Sequence, residues 1–489
     1  MIIDSNIEFR ILKHESHKVS QAIRKKKGQA PVPLACVLLG MPRFSLFGII
    51  AAMKGYYTYR EPGEGANGLS CATRAKRIAV VTQGVKLPGE VRGYTRFRII
   101  AEVLAEAGFA VDLITSSFQH WDKAQRHTLA RCYEGHPYRI RFIHEPGYKR
   151  NLDMARIKSH AQLAKRLRAF LESEFEENPP GYDLIYSEIP PNDMALACAE
   201  VAQCHGIPYV ADVNDLWPEA MRMAMNIPIA SDIAFAPFAR DAKRTYSLIS
   251  AAVGTSDEYA ARPGSDRDEP FEHITVYVGN DIAAFDAGAR AHADEIVKPD
   301  DEIWVIYTGT IGASYDIRTL IDAAKLCETE DARIRVKILG DGPDRASLEA
   351  YADSIAAPVD FLGYTPYDLM AAYLCASDIT VNSLVAKAPQ SIVTKIGDYL
   401  AAGIPLINTG SSPEFRAKVE HDGFGVNVEA EHADILAAAI LSIAHDPEAS
   451  KAMGRRARAI AEQQFDQRTS YQAIVDLVRR LTDPAKENA

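Results

Sequence analysis

From Lys76 onward the chain repeats one rhythm, in which short β-branched runs alternate with amphipathic helical runs. Few folds accept that rhythm. A strand covered on both faces reads as a continuous apolar run, and a helix after each strand carries the chain back to start the next one in parallel. The first strand reads Arg77-Ile78-Ala79-Val80-Val81-Thr82, and a loop with Gly84, Gly89 and Gly93 leads into a helical run over 94–107. Gly108 ends that helix as a C-terminal cap. Further strands are expected over 111–115, 138–143, 183–186, 207–213, 251–254 and 273–278. The polar, alanine-rich stretch 281–301 carries no strong pattern of either kind, and a second series opens at Ile303-Trp304-Val305-Ile306-Tyr307. Its successors are 335–339, 359–362, 379–382, 405–408 and 425–428. The expectation is an α/β chain of two facing, doubly wound Rossmann-like domains, 76–285 and 286–465. Ligands then sit beyond the carboxyl ends of both sets of strands.

A length of 489 residues suits two such domains better than one. The formal charge of −10 argues against a nucleic-acid partner, because neutralising phosphates needs a surplus of Lys and Arg on the contacting face. Seven scattered cysteines with no CxxC pair give neither a disulfide framework nor a zinc signature, which reads as a reducing cytosol.

Residues 1–75 stand apart as an N-terminal extension. The basic run Arg24-Lys25-Lys26-Lys27 precedes two apolar stretches, 31–42 and 44–53, with Arg43 between them. Each is shorter than the about 20 residues a spanning helix needs, and joined they put Arg43 at mid-membrane. Three readings stay open: an interfacial or re-entrant membrane anchor, a pair of helices packed on the first domain, and a start codon placed too far upstream.

Four strings are placed to carry chemistry. Tyr307-Thr308-Gly309-Thr310-Ile311-Gly312 ends a strand and precedes a helix expected near Asp316, so backbone amides near Gly309 and Gly312 can approach a diphosphate. Glycine is also common in any strand-to-helix turn. Gly340-Asp341-Gly342-Pro343 makes a tight turn with Pro343 expected at the first helical position. In the segment 389–405 a helix is expected from Ser391 to Gly403, with Lys395 and Asp398 on one face. The ammonium suits phosphate oxygens and the carboxylate suits ribose hydroxyls; the plain alternative is a surface ion pair. In the first domain, Asn214-Asp215-Leu216-Trp217-Pro218-Glu219 follows a strand. There Asp215 is either a ligand or catalytic contact or the cap of a helix beginning near Pro218, and Trp217 either faces a sugar or fills the core. No HxxxH pair, EF-hand, GxSxG elbow or Walker loop is present, so no metal site is expected.

Together these strings, with Phe361-Leu362-Gly363 and Lys395-Ile396-Gly397-Asp398-Tyr399-Leu400-Ala401-Ala402-Gly403, resemble the C-terminal domain of family 4 glycosyltransferases with the GT-B fold. Asp215-Leu216-Trp217-Pro218 and Ile114-Thr115-Ser116-Ser117-Phe118-Gln119-His120 further resemble the branch that builds capsular and O-antigen polysaccharides. The resemblance implies a retaining transferase that uses a nucleoside-diphosphate sugar as co-substrate, without metal or other cofactor. It implies Asp398 on the ribose, and a final helix, within 466–489, that crosses back onto the first domain. Where the family has an acidic residue eight positions before Asp398, this chain has Gln390. Where many members have an Arg and a Lys after the strand 303–307, the nearest cation here is Arg318, so Lys395 and amides near Gly312 are expected to hold the diphosphate.

The catalytic candidates are therefore Asp215 and Lys395. Donor contacts are expected from Gly309, Gly312, Arg318, Gly340, Gly342, Gln390, Lys395 and Asp398, and acceptor contacts from Gly93, Tyr94, Asp215, Trp217 and Glu219. The implied acceptor is a polyprenyl-diphosphate-linked glycan, met by a cytoplasmic protein at the inner face of the cell membrane. Two other readings are a GT-B sugar-nucleotide 2-epimerase and a catalytically weakened nucleotide-sugar binding protein.

Overall fold

The computed structural model describes residues 56–57, 74–91, 93–150, 153–219, 230–267, 269–388 and 392–483. Both apolar stretches and the basic run of the N-terminal extension lie outside the described residues, as does Gln390.

The first domain holds strands β1 (Tyr56–Tyr57), β2 (Arg77–Thr82), β3 (Ala110–Ser116), β4 (Phe118–Gln119), β5 (Ala124–Gln125), β6 (Arg139–Ile143), β7 (Leu184–Ile189), β8 (Tyr209–Val213), β9 (Ala251–Gly254) and β10 (Glu272–Thr275). β4 and β5 form a short hairpin; the others form one sheet in the order β1-β6-β3-β2-β7-β8-β9-β10, parallel except where β1 meets β6. The strands alternate as a sheet covered on both faces must. Ile78 and Val80 of β2 enter one apolar cluster, while Ala79 and Val81 enter the opposite one.

The second domain holds β11 (Ile303–Thr308), β12 (Ile334–Leu339), β13 (Val359–Gly363), β14 (Ile379–Asn382), β15 (Leu406–Asn408) and β16 (Gly425–Asn427), all parallel in the order β13-β12-β11-β14-β15-β16. In each sheet the order reverses beside its first long strand, between β2 and β7 and between β11 and β14. Those reversals open the crevices where ligands of doubly wound sheets bind.

The chain crosses between domains twice, and the crossings lie side by side. Asn280 N donates to Phe465 O (2.9 Å) and Gln467 N to Asn280 O (2.9 Å). A Cβ on Gly279 would fall 2.0 Å from Phe465 O, so this position has room only for glycine. Beyond the second crossing, helix Gln472–Thr482 buries Ile474, Val475, Leu477 and Val478 in the same cluster as Ile78 and Val80 of the first domain. Glu414, on a second-domain helix, accepts from the backbone amides of Asp257 (2.9 Å) and Glu258 (3.1 Å) at the start of a first-domain helix.

Three local expectations need correction. The stretch 281–301 contains a helix, Ile282–Ala291, whose N-cap Asp281 accepts from Ala284 N. Ile282 and Phe285 of that helix are buried with Leu400 and Phe465, so the second domain begins before 286. The helix after β12 starts at Arg345 with Asp344 as N-cap, which leaves Pro343 outside it. The helix expected from Ser391 runs only over Ile396–Ala401, and Lys395 is its N-cap residue rather than part of its face. Among the described residues no helix is long and apolar enough to cross a membrane.

Candidate active site

In the second domain the turn after β11 packs against the turn after β12. Gly309 N donates to Leu339 O (2.9 Å), Ile311 N to Asp341 O (3.0 Å) and Asp344 N to Ile311 O (3.3 Å). A Cβ on Gly340 would sit 1.8 Å from Gly309 O, and one on Gly342 2.0 Å from Ile311 O. Loop-on-loop packing is therefore enough to require glycine at 340 and 342. Gly309 and Gly312 differ. Gly309 has φ +131°, and its Cβ would lie 3.2 Å from Lys395 Nζ, whereas a Cβ on Gly312 would make only an ordinary 3.7 Å contact with Pro343. Gly309 therefore borders the Lys395 ammonium, and Gly312 has room beside it.

Lys395 is buried, and its ammonium has no hydrogen-bond partner among the described residues. It lies 3.9 Å above the Tyr307 ring and 4.2 Å above the Tyr315 ring. The rings offset part of the cost of burying the charge. Burial still drives the Lys395 pKa well below its ordinary value. A cation held this way gains most from an anion brought to it.

One turn further on, Asp398 Oδ1 accepts from Tyr367 Oη (2.8 Å) and Asn280 Nδ2 (2.9 Å). Burial pushes its carboxyl up to about 6. The same carboxylate thus ties the helix Ile396–Ala401 to the first interdomain crossing. Arg318 is exposed, with its guanidinium 3.8 Å over the ring of Tyr351 on a neighbouring helix rather than beside Lys395.

In the first domain the loop after β2 carries Gly93 (φ +126°), where a Cβ would strike the Trp121 ring at 2.9 Å. Tyr94 meets the same indole edge-on, ring centroids 5.3 Å apart. Burial and the nearby Asp215 carboxylate raise the Tyr94 phenol, and burial and Tyr94 raise that of Tyr315. The Tyr94 phenol thus lies within electrostatic reach of Asp215 in its own domain and of Tyr315, whose ring packs on Lys395, in the other.

Asp215 bonds its two immediate successors, and residues 220–229 beyond them lie outside the described residues. Its Oδ1 accepts from Leu216 N (2.8 Å) and its Oδ2 from the Trp217 indole (3.0 Å), while burial raises its pKa. Trp217 packs edge-on against Phe238. Glu219 Oε1 accepts from the Arg262 guanidinium (2.6 Å), so this carboxylate is already engaged.

Several residues around the site escape a reading by motif. Tyr315 is one, and Trp121, one residue past the string ending at His120, is a second; Tyr307 stands in its string only as the strand's end. Glu188, at the end of β7, accepts from Thr82 Oγ1 (2.6 Å) and Gln83 N (2.7 Å) and fixes the start of the loop after β2. Burial pushes its carboxyl up to about 7. An acidic residue closing an apolar strand beside the switch point was the available signal. Among the described residues no cluster of three His, Cys, Asp or Glu side chains could hold a metal ion.

Residues 289–460 match the model of the family described as glycosyl transferases group 1. No curated protein is similar in sequence to this chain. The fold is shared with HepE of Anabaena, solved in complex with UDP, at 18% identity and a TM-score of 0.58 over 82% of this chain and 99% of that one. A sucrose-phosphate synthase from Thermosynechococcus elongatus matches at 18% identity and TM-score 0.58, over 83% and 99% of the two chains. WaaG, a glycosyltransferase involved in lipopolysaccharide biosynthesis, matches at 15% identity and TM-score 0.53, over 82% and 99%. At these identities the likeness to the three is one of fold, the two-domain GT-B arrangement.

Proposed function

We propose that this chain, whose second domain matches the group 1 glycosyl transferases within a GT-B fold, is a retaining glycosyltransferase that moves a sugar from a nucleoside-diphosphate donor to a lipid-linked glycan. The observation that carries this reading is the buried ammonium of Lys395, which has no hydrogen-bond partner among the described residues and lies beside the turn at Gly309. The complex of HepE with UDP supports a nucleoside diphosphate as the anion.

In the transfer step the bond between the anomeric carbon and the diphosphate oxygen breaks, and an acceptor hydroxyl oxygen takes the diphosphate's place with the same anomeric configuration. The acceptor proton leaves with the diphosphate. Negative charge grows on the leaving oxygens only as that bond breaks, so Lys395 and the amides near Gly312 favour the transition state over the bound donor. Asp398 accepts from the ribose hydroxyls, and Gln390 bonds a hydroxyl of the transferred sugar. The acceptor lies on the first domain along Gly93, Tyr94, Asp215 and Trp217. A polyprenyl-diphosphate carrier, a place on the cytoplasmic face of the membrane and a role in surface polysaccharide assembly belong to the same proposal. They rest on the resemblance of the first-domain strings and on the basic, apolar N-terminal extension.

The test is a panel of nucleotide sugars incubated with the purified protein, scoring nucleoside diphosphate release with and without a membrane extract. Release that needs one particular sugar nucleotide and the extract supports transfer and names the donor. Binding without release, or conversion of the nucleotide sugar to its 2-epimer without acceptor, would replace transfer by the binding or epimerase reading.

A further inference from the structure

Helix Met154–Glu177, which follows β6, runs its charges against its own dipole. No acid stands in its first turn and no base in its last. From Gly147 to Leu171 the chain carries Lys149, Arg150, Arg156, Lys158, Lys165, Arg166 and Arg168 against Asp153 alone, and the end of the helix then carries Glu172, Glu174, Glu176 and Glu177. A helix gains from acids at its amino end and bases at its carboxyl end, so this order is held at some loss of stability. The whole chain is acidic, with a formal charge of −10, so a strip this basic is not a sample of its composition.

The solvent face of the helix is mixed. Met154, Ile157, Lys158, Ala161 and Lys165 share one stripe, opposite the buried Ser159, Leu163 and Leu167. Met154 is 65% exposed and Ile157 43%. Arg166 donates to His144 O (2.8 Å) and Arg168 pairs with Glu200 (2.5 Å). Lys149, Lys158 and Lys165 are exposed with no carboxylate within ion-pair distance among the described residues, and Arg150 reaches only Asp153, at 3.9 Å. The stripe begins at the carboxyl end of the first sheet, the end that carries the crevice. Gly147 N donates to Ser159 Oγ (2.9 Å), and the Arg156 guanidinium lies 5.1 Å from the ring of Trp217, an expected acceptor contact. Tyr56 of β1 pairs with Ile143, the last residue of β6, so the chain enters the first domain at this same end.

We propose that this stripe, with Lys149 and Arg150, is a docking surface for an anionic lipid bilayer, on which the cations meet headgroup phosphates while Met154 and Ile157 enter the interface. Two exposed apolar side chains among four exposed cations match a surface that is negative at its headgroups and apolar beneath them. A nucleic acid would offer the charge but no apolar layer. The surface belongs to the folded first domain and is separate from the basic run at residues 24–27. Docked this way, the first domain holds its crevice close to the bilayer, within reach of a lipid-linked glycan. That purpose rests on the transferase reading, whereas the docking itself does not.

The experiment sediments the full chain with vesicles of phosphatidylcholine alone and of phosphatidylcholine mixed with phosphatidylglycerol. Binding should need the anionic lipid and weaken as salt rises. Each of Lys149→Gln, Lys158→Gln and Lys165→Gln should weaken it about fivefold, and Ile157→Ser about three- to tenfold. Asp153→Asn keeps the helix cap and removes the one acid, so it should tighten binding about fivefold, a gain that no misfolded variant would give. Binding untouched by all of these changes overturns the surface and leaves any membrane attachment to the extension 1–75. Absence of binding to either vesicle overturns it as well, and retention on heparin would then assign the stripe to a polyanion. In the lysine variants, transfer to a membrane extract should fall at least about fivefold while calorimetric affinity for the nucleotide donor holds. Undiminished transfer by variants that no longer bind vesicles would overturn the link to the acceptor. Vesicle binding that follows the charges in a protein that transfers nothing would keep the surface and remove the transferase reading instead.

Discussion

Two buried cations, one in each domain, are handled in opposite ways. Arg96 in the first domain is 1% exposed and fully engaged: Nε and Nη2 bond the Asp212 carboxylate at 3.0–3.2 Å, and Nη1 donates to the carbonyls of Val276 (2.9 Å) and Tyr277 (3.2 Å). Tyr186 bonds the same carboxylate. Lys395 in the second domain has two aromatic faces and no hydrogen-bond partner among the described residues. A guanidinium with its counter-ion and carbonyls in place belongs to the architecture. An ammonium desolvated without them is a place prepared for a ligand.

Removing each cation should break the comparison in a different measurement. Arg96→Met leaves Asp212 buried and uncompensated and should cost about 3–5 kcal/mol in chemical denaturation of the full chain. A cost below about 0.5 kcal/mol, as for an ordinary surface change, would show that Arg96 is not structural. Lys395→Met removes a charge that only pays desolvation, so stability should hold or rise slightly. Nucleoside diphosphate affinity by calorimetry should meanwhile fall about 10–100-fold, the worth of one charge-assisted bond. Unchanged affinity would take Lys395 out of the site.

The glycines sharpen the same distinction. Gly340→Ala forces a Cβ onto Gly309 O at a positive φ and should cost about 1–3 kcal/mol in thermal or chemical unfolding. Gly312→Ala has room and should change stability by less than about 0.5 kcal/mol while weakening donor binding. If Gly312→Ala binds donor normally, its amide does not approach the diphosphate.

The smallest effect is with pH. The Asp398 carboxyl sits at about 6 in the folded chain against 3.8 when unperturbed, so the folded state holds its proton more tightly. Its contribution to stability is complete below about 3.8 and declines as pH rises through 6. Donor binding should move the other way, strengthening across pH 6 as the carboxylate becomes free to accept from ribose. Asp398→Asn should flatten both trends in denaturation and calorimetry run from pH 4 to 8.

Much of this was legible in the sequence, for identifiable reasons. The long strands fell within three residues of expectation at each end, because apolar runs bounded by glycine and proline are a local signal. Helix Ile282–Ala291 was missed because alanine and glycine blur its face, although Asp281 followed by Ile282 and Phe285 was a readable start. Lys395 could be selected from its motif, but its surroundings could not. Tyr307 and Tyr315 lie some eighty residues earlier in the chain and reach it only through the β11–β14 reversal. Gly340 and Gly342 read as donor contacts, and the sequence could not show the neighbouring loop that presses on them.

The return of helix Gln472–Thr482 to the first domain bears on how the chain is made. A ribosome releases β2 to β10 first, then the entire second domain, and only afterwards the helix whose Ile474, Val475, Leu477 and Val478 seal the first core. The domain that emerges first is therefore the one completed last. Until the final turns leave the exit tunnel, an apolar groove beside Ile78 and Val80 stands open to chaperones, while the later domain can already close on its own sheet.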